Sequence, residues 1–301
     1  MPETLTIQAY WKGAWQDTGD VIFREPRKGL AGPMQFYYDP HYINDADSFR
    51  PGLNFIDERA ISVNLPGNFT GHFNEENIAP ALRDMIPQGA GRRALTKLWG
   101  EKDTGPGMDF RLLKEGCIAP IGNLRIKEAA EAFQTRVALQ KPIAFSRDDI
   151  TERNEELINH AHDLGIAIGG ATGAGGDAPK LLLVEGSDGQ FYLEGTLAEQ
   201  KVTRHWLVKF PRGRMLAEDE DILRAEGVFY QALSALGVNT IHQTDVREGL
   251  TPSLWLPRFD RTISEGQTER FGIESVYSLM GMIGDGARLQ HTEVLARIQN
   301  Y

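Results

Sequence analysis

Cysteine is almost missing from this sequence: of 301 residues, Cys117 alone carries a thiol. One thiol cannot close an internal disulfide, so the fold must rest on its core, as in chains that work in a reducing cytosol. Long apolar runs are missing too. No stretch approaches the ~20 residues needed to cross a bilayer. The opening Met1-Pro2-Glu3-Thr4 lacks the basic and apolar regions of a signal peptide. Nor is there an excess of positive charge. Lys and Arg number 32 against 42 Asp and Glu, a formal charge of −10. That speaks against direct nucleic-acid binding, where a basic face is the usual footprint. There is no internal repeat and no low-complexity tract. What remains, 41% hydrophobic and 25% charged, suits a globular protein with core enough for two domains.

The first 145 residues open with alternating apolar positions: Leu5, Ile7, Ala9 and Trp11, then Val21 and Phe23, then Met34, Phe36 and Tyr38, then Ile61, Val63 and Leu65. Turn signals such as Lys12-Gly13, Asp39-Pro40 and Pro66-Gly67-Asn68 separate them, which predicts a half-buried antiparallel sheet. Helical pattern follows over Asn77–Trp99, broken at Pro87-Gln88-Gly89, with a short helix at Phe110–Lys114 and a last strand at Gly122–Ile126. Arg92-Arg93 reads as a solvated helix face. His160 and His162, two apart on a predicted helix, point in different directions and cannot share a metal.

The middle of the chain carries the run Gly169-Gly170-Ala171-Thr172-Gly173-Ala174-Gly175-Gly176-Asp177-Ala178-Pro179-Lys180. Glycine lets main-chain N–H groups approach a bulky anion, most often a phosphate; the alternative is a flexible turn that binds nothing. A helix over Asp148–Leu164, capped by Ser146 or Asp148, with Ile150, Leu157, Ile158, Ala161 and Leu164 along one side and stopped by Gly165, precedes it. The Walker pattern fails because Lys180 stands between Pro179 and Leu181. The dinucleotide fingerprint is matched by Gly173, Gly175 and Ala178, with Glu194 at ribose distance, but it requires a helix directly after the glycines. Leu181–Glu185, Ser187-Asp188-Gly189 and Gln190–Leu193 read instead as strand, turn, strand. A glycine loop between antiparallel strands is the kinase arrangement.

That arrangement needs a lysine on the next strand and a glutamate on a helix to hold it. Lys209 lies inside the apolar strand His205–Phe210, and Glu226 lies on the helix Glu218–Leu236. At about 100° per residue Glu226 falls within the stripe Ile222, Phe229, Leu233 and Leu236, which predicts a carboxylate on a buried face that Lys209 must meet. The alternative is a Glu226 that reaches solvent at the stripe's edge. Ile241–Val246 and Leu254–Phe259 read as two further strands.

With these residues on the page the sequence resembles the HipA-like kinases, toxin components of bacterial toxin–antitoxin pairs. The resemblance runs along nearly the whole chain. It rests on Ala174–Lys180, Val208-Lys209-Phe210-Pro211, Glu226 with Leu236-Gly237, and Arg258-Phe259-Asp260-Arg261. In the first half Ile61–Pro66, Met85–Gly89 with Gly91-Arg92-Arg93, and Ile121–Arg125 look like the family's N-terminal module. It implies an α+β chain in three parts: an N-terminal module (1–145), a kinase-like nucleotide lobe (146–256), and a hinge with the first helices of a C-lobe (257–301), at Ile273–Ile283 and Thr292–Gln299.

The resemblance further implies a cytoplasmic Ser/Thr protein kinase that uses ATP and Mg²⁺ and phosphorylates a glutamyl-tRNA synthetase, arresting growth. A small DNA-binding antitoxin would neutralise it. Gly175, Gly176, Asp177, Ala178, Pro179 and Lys180 would wrap the phosphates and Lys209 would pair with them. Glu226 would support Lys209; Pro257, Arg258 and Phe259 would hold the adenine, with Asp260 near the ribose. Where relatives carry an autophosphorylated serine this chain has Gly173, so Thr172 could inherit that role or simply cap a local backbone group. The catalytic aspartate, its asparagine and the metal-binding aspartate have no counterpart. Asp285-Gly286 reads as a turn. The expectation is a chain that holds nucleotide but does not transfer phosphate, either as a truncated kinase or as a non-catalytic, antitoxin-like partner protein.

Overall fold

In the computed structural model the described residues are 1–43, 59–67, 72–118, 121–166, 178–212, 216–284 and 288–300. The strands are β1 (Glu3–Trp11), β2 (Ala14–Phe23), β3 (Met34–Tyr38), β4 (His72–Asn74), β5 (Leu124–Ile126), β6 (Lys180–Gly186), β7 (Phe191–Leu193), β8 (Val202–Lys209), β9 (Asp245–Arg247), β10 (Ser253–Pro257), β11 (Arg261–Ser264) and β12 (Gln267–Arg270). The helices are α1 (Pro40–Ile43), α2 (Glu75–Met85), α3 (Gly89–Leu98), α4 (Pro106–Arg111), α5 (Lys127–Ala138), α6 (Arg147–Glu152), α7 (Glu155–Asp163), α8 (Ala217–Ala235), α9 (Val276–Leu279) and α10 (His291–Gln299). The fold is mixed α+β with antiparallel sheets.

Two compact units interleave in sequence: Met1–Ile86 with Thr104–Ala130 and Phe271–Tyr301, and Pro87–Asp103 with Glu131–Arg270. The expected consecutive division after 145 and 256 does not follow these units.

The first unit is built on the sheet β4-β3-β2-β1-β5. Its core is the expected alternation: Leu5, Ile7, Ala9, Val21, Phe23, Met34, Phe36 and Tyr38 are all buried. The β1–β2 turn, Lys12-Gly13, takes positive φ at both residues (51° and 80°), as a two-residue hairpin demands. Ile61, Val63 and Leu65 do not form the predicted strand. Ile61 and Leu65 are buried by other means: Tyr38 Oη accepts from the Ile61 amide (3.1 Å) and donates to the Leu65 carbonyl (2.5 Å). The predicted helix at Ile273–Ile283 shrinks to the single turn α9, which Ser275 caps by accepting from the Ser278 amide. Cys117 is wholly buried, and burial pushes its thiol up to about 12.

The second unit holds the sheet β7-β6-β8-β10-β9 and the hairpin β11–β12. That hairpin was not foreseen. Its strands are polar, and its turn is marked only by Glu265-Gly266, both at positive φ. The helix expected over Asp148–Leu164 is two helices. Arg153 takes φ 50° after α6, and Asn154 starts α7 by accepting from the Leu157 amide. Ser146 does cap α6 and Gly165 does end α7 in the left-handed region, but Ile158, expected on the apolar side, is exposed. Arg92 is no solvated side chain: its guanidinium pairs with Asp103 at 2.7 Å.

Helix α8 lies against β9 and β10 through Leu223 and Gly227. The stripe Ile222, Phe229, Leu233 and Leu236 is exposed, contrary to expectation. A helical wheel finds an apolar stripe; it does not say which stripe meets the sheet.

Candidate functional site

β6 and β8 run antiparallel with Lys180 directly opposite Lys209. Opposed residues of an antiparallel pair share a face, so both ammonium groups project from the same side of the sheet, the side that α8 covers. Leu254 of β10 stands opposite Lys209 on its other flank. The chain enters β6 through Ala178-Pro179, whose Pro179 carbonyl accepts from the Phe210 amide at 2.9 Å. Lys180 is buried and donates to the Ala178 carbonyl at 3.2 Å.

Lys209 Nζ is paired with Glu226 Oε1. The pair forms although the stripe used to predict it faces solvent. On the helical wheel Glu226 lies between that stripe and the packed face of Leu223 and Gly227, so it reaches the sheet from the border. The side chains of Lys209 and Glu226 are 19% and 34% exposed, a half-dry pair. Tyr230, one turn along α8, hydrogen-bonds Glu226; burial and then that carboxylate push its phenol above the usual tyrosine range. Among the described residues two ammonium groups and one carboxylate stand at this corner. Chemically it suits a phosphate. Thr172, Gly175, Gly176 and Asp177 lie outside the described residues, as does Asp285-Gly286.

The second group of expected residues lies further along the same strands. Pro257 ends β10 opposite Trp206, three residues from Lys209, roughly 10 Å along the strand. The Arg258 amide donates to the His205 carbonyl at 3.0 Å, and Phe259 stands 53% exposed. Arg258 and Asp260 turn inward. Arg258 Nε and Nη2 donate to the two Asp260 oxygens at 2.7 and 2.6 Å, and Arg261 Nη2 adds a bond to Oδ2 at 2.8 Å. Asp260 is fully buried, so its carboxylate is held by two guanidinium groups and not displayed at the surface.

Glu194, which the dinucleotide reading offered to a ribose, completes this network. It accepts from Arg258 Nη1 at 2.8 Å and from Arg261 Nη1, while Arg270 stands 3.8 Å away and pairs outward with Glu199 at 2.8 Å. Burial alone would raise the Glu194 carboxyl; Arg261 and Arg258 outweigh it and hold the group at about 2. Asp260 is held well below the usual carboxylate range by Arg258 and Arg261 against the same penalty. His205, buried beside them and 3.3 Å from Thr268 Oγ1, is pushed down to about 4 by burial. Sequence reasoning missed this network because its partners lie up to 76 positions apart. The dinucleotide reading fails outright, since a strand and not a helix follows Ala178.

Among the described residues no three His, Cys, Asp or Glu side chains converge on a possible metal site. No helix among them is long and apolar enough to cross a membrane.

Residues 172–300 match the family model of the HipA-like C-terminal domain. The likeness to the HipA family thus covers 129 residues in the C-terminal part of the chain. The match takes in Lys180, Lys209, Glu226 and the segment Pro257–Asp260. Among solved structures the chain is similar to HipA of the toxin–antitoxin system of Shewanella oneidensis MR-1, determined with HipB and its operator DNA. The TM-score is 0.56 at 19% identity, over 92% of this chain and 56% of that one. At that identity the likeness is one of fold, and this chain spans little more than half the length of its structural neighbour. None of the curated proteins matches it.

Proposed function

We propose that the second unit is the nucleotide-holding lobe of a HipA-like Ser/Thr protein kinase and that its ligand is ATP. The observation that carries this is the Lys209–Glu226 pair, formed between strand and helix with Lys180 opposite in register. A lysine steadied by a helix glutamate is the device kinases use to fix phosphates. Here Lys180 closes the glycine-rich run, four positions after its last glycine, Gly176. Pro257–Phe259, three strand positions away, is assigned the adenine through its backbone. Asp260 is assigned to hold Arg258 and Arg261 in place near the ribose.

The described residues do not fit a magnesium ion. The two described carboxylates assigned to this site are committed, Glu226 to Lys209 and Tyr230, and Asp260 to two guanidinium groups. We therefore derive no metal-dependent step and assign these residues nucleotide binding alone. By resemblance, the whole kinase would act in the cytoplasm on a glutamyl-tRNA synthetase. The complex of the Shewanella protein with HipB suggests a DNA-binding antitoxin as partner here.

The test is calorimetric titration of the chain with ATP, with and without Mg²⁺. Wild type should bind, and Lys209→Ala should weaken binding about tenfold or more while leaving the far-ultraviolet circular dichroism unchanged. ATP binding that Lys209→Ala leaves intact, or no binding by wild type, overturns the assignment.

A further inference from the structure

The sheet of the second unit has another face, turned away from Lys209. Arg204 and Trp206 alternate along β8 with His205, Leu207 and Lys209, so they project to the opposite side. There a cleft of about 350 Å³ is lined by Arg147, Glu185, Arg204, Trp206, Gln243 and Asp245. Its floor is aromatic. The Arg147 guanidinium lies 4.7 Å from the centroid of Trp255 and 5.6 Å from that of Trp206, and Arg204 lies 5.2 Å from the Trp206 ring. Stacking on rings fixes the plane of a guanidinium and leaves its N–H edges available.

The lining carries two guanidinium groups and two carboxylates, and Arg247 adds a third cation beside it. Asp245 is shared by Arg147 at 3.3 Å and Arg247 at 2.6 Å, so one carboxylate faces two cations. Glu185 accepts from Trp206 Nε1 at 2.9 Å. Arg204 has no carboxylate partner among the described residues, and the Gln243 amide makes no hydrogen bond among them. Gln243 also takes φ 60°, a left-handed conformation that favours glycine, which places strain beside the cleft. Burial, and then Arg247, press on the Arg147 cation and lower its pKa, a crowding that an anion would relieve. With Arg247 counted beside the lining, three guanidinium groups stand against the two carboxylates, on a chain whose formal charge is −10.

We infer that this cleft is a second anion site, separate from the nucleotide corner, that takes a tetrahedral phosphate between Arg147 and Arg204 with the Gln243 amide as a further donor. A phosphate presents several strong acceptor oxygens and is met by guanidinium edges in paired hydrogen bonds. The volume suits a small molecule, either free phosphate or the phosphate group of a small ester.

The full chain is titrated calorimetrically with inorganic phosphate and, separately, with methyl phosphate. Wild type and Lys209→Ala should both bind, and Arg204→Gln should weaken binding about tenfold, with a smaller loss in Gln243→Ala. Arg204 is exposed and has no carboxylate partner among the described residues, so its replacement leaves the fold intact. Tighter binding of methyl phosphate identifies an ester as the ligand; equal or weaker binding identifies free phosphate. The inference is overturned if wild type binds neither anion, if Arg204→Gln binds as wild type does, or if Lys209→Ala alone abolishes binding, which would return the phosphate to the nucleotide corner.

Discussion

Glu194 and His205 sit within one buried network yet respond to acid in different ranges. Glu194 has a folded pKa of about 2 against an ordinary 4.5, so its ion pairs contribute stability above 4.5 that is lost as pH falls toward 2. His205 is held neutral, with a folded pKa of about 4 against an ordinary 6.5. The unfolded chain takes up that proton first, so His205 withdraws stability as pH falls from 6.5 to 4, by up to about 3 kcal/mol. Urea unfolding across pH should therefore weaken in two stages. His205→Gln should flatten the upper stage only; an unchanged slope between pH 6.5 and 4 would mean the imidazole is not buried neutral. Glu194→Ala leaves buried guanidinium groups uncompensated and should cost about 3–5 kcal/mol at neutral pH. At this scale the sequence was uneven. Lys209 was legible because a lysine inside an apolar strand is conspicuous. Glu194, Arg258 and Arg261 were not, since charges separated by more than sixty positions give no local sign that they meet in the core.

Helix α8 shows how an element can be found and its packing misread. Its limits were legible from acidic residues at the start and Gly237 after the end. Its packed face was not, because that face is made by Leu223 and by the absence of a side chain at Gly227. A Cβ at Gly227 would stand 2.3 Å from Val246 Cγ2, which belongs to a stiff β-branched side chain. Gly227→Ala should therefore destabilise by about 1–3 kcal/mol, although alanine inside a helix ordinarily stabilises by about 1 kcal/mol. Phe229→Ala, on the exposed stripe, should stay within about 0.5 kcal/mol, whereas Leu223→Ala should cost about 2–5 kcal/mol. Chemical denaturation of the three variants checks the order. A larger loss at Phe229 than at Leu223 would restore the expected orientation. The split between α6 and α7 was within reach of sequence reasoning, since Asn154-Glu155-Glu156 is a capping signal in its own right. The apolar periodicity running across it hid the break.

At the scale of the whole chain, residues 271–300 lie in the first unit, although the matched family domain runs through them to residue 300. Short polar bonds account for this. Glu274 Oε1 accepts from Ser62 Oγ at 2.6 Å and Ser278 Oγ at 2.7 Å, and Oε2 accepts from the Val63 amide at 2.9 Å. Asp84 accepts from the Ser275 amide and hydroxyl at 2.7 and 2.6 Å, and Arg297 Nη2 donates to Asn64 Oδ1 at 2.7 Å. The stretch Ser62–Asn64, which lacks the strand its alternation suggested, is thus tied down by a segment more than two hundred positions later. The sequence pattern could not show this, because the tie is made by side-chain oxygens and not by apolar periodicity. The first 145 residues should accordingly not fold cooperatively alone. Glu274→Ala strands three donors and should cost about 2–4 kcal/mol. It should also speed hydrogen exchange at the Val63 amide by about tenfold or more. Glu293→Ala, an exposed change on α10, serves as the control and should stay within about 0.5 kcal/mol. If exchange at Val63 is the same in both variants, Glu274 does not hold the segment, and the first unit closes without it.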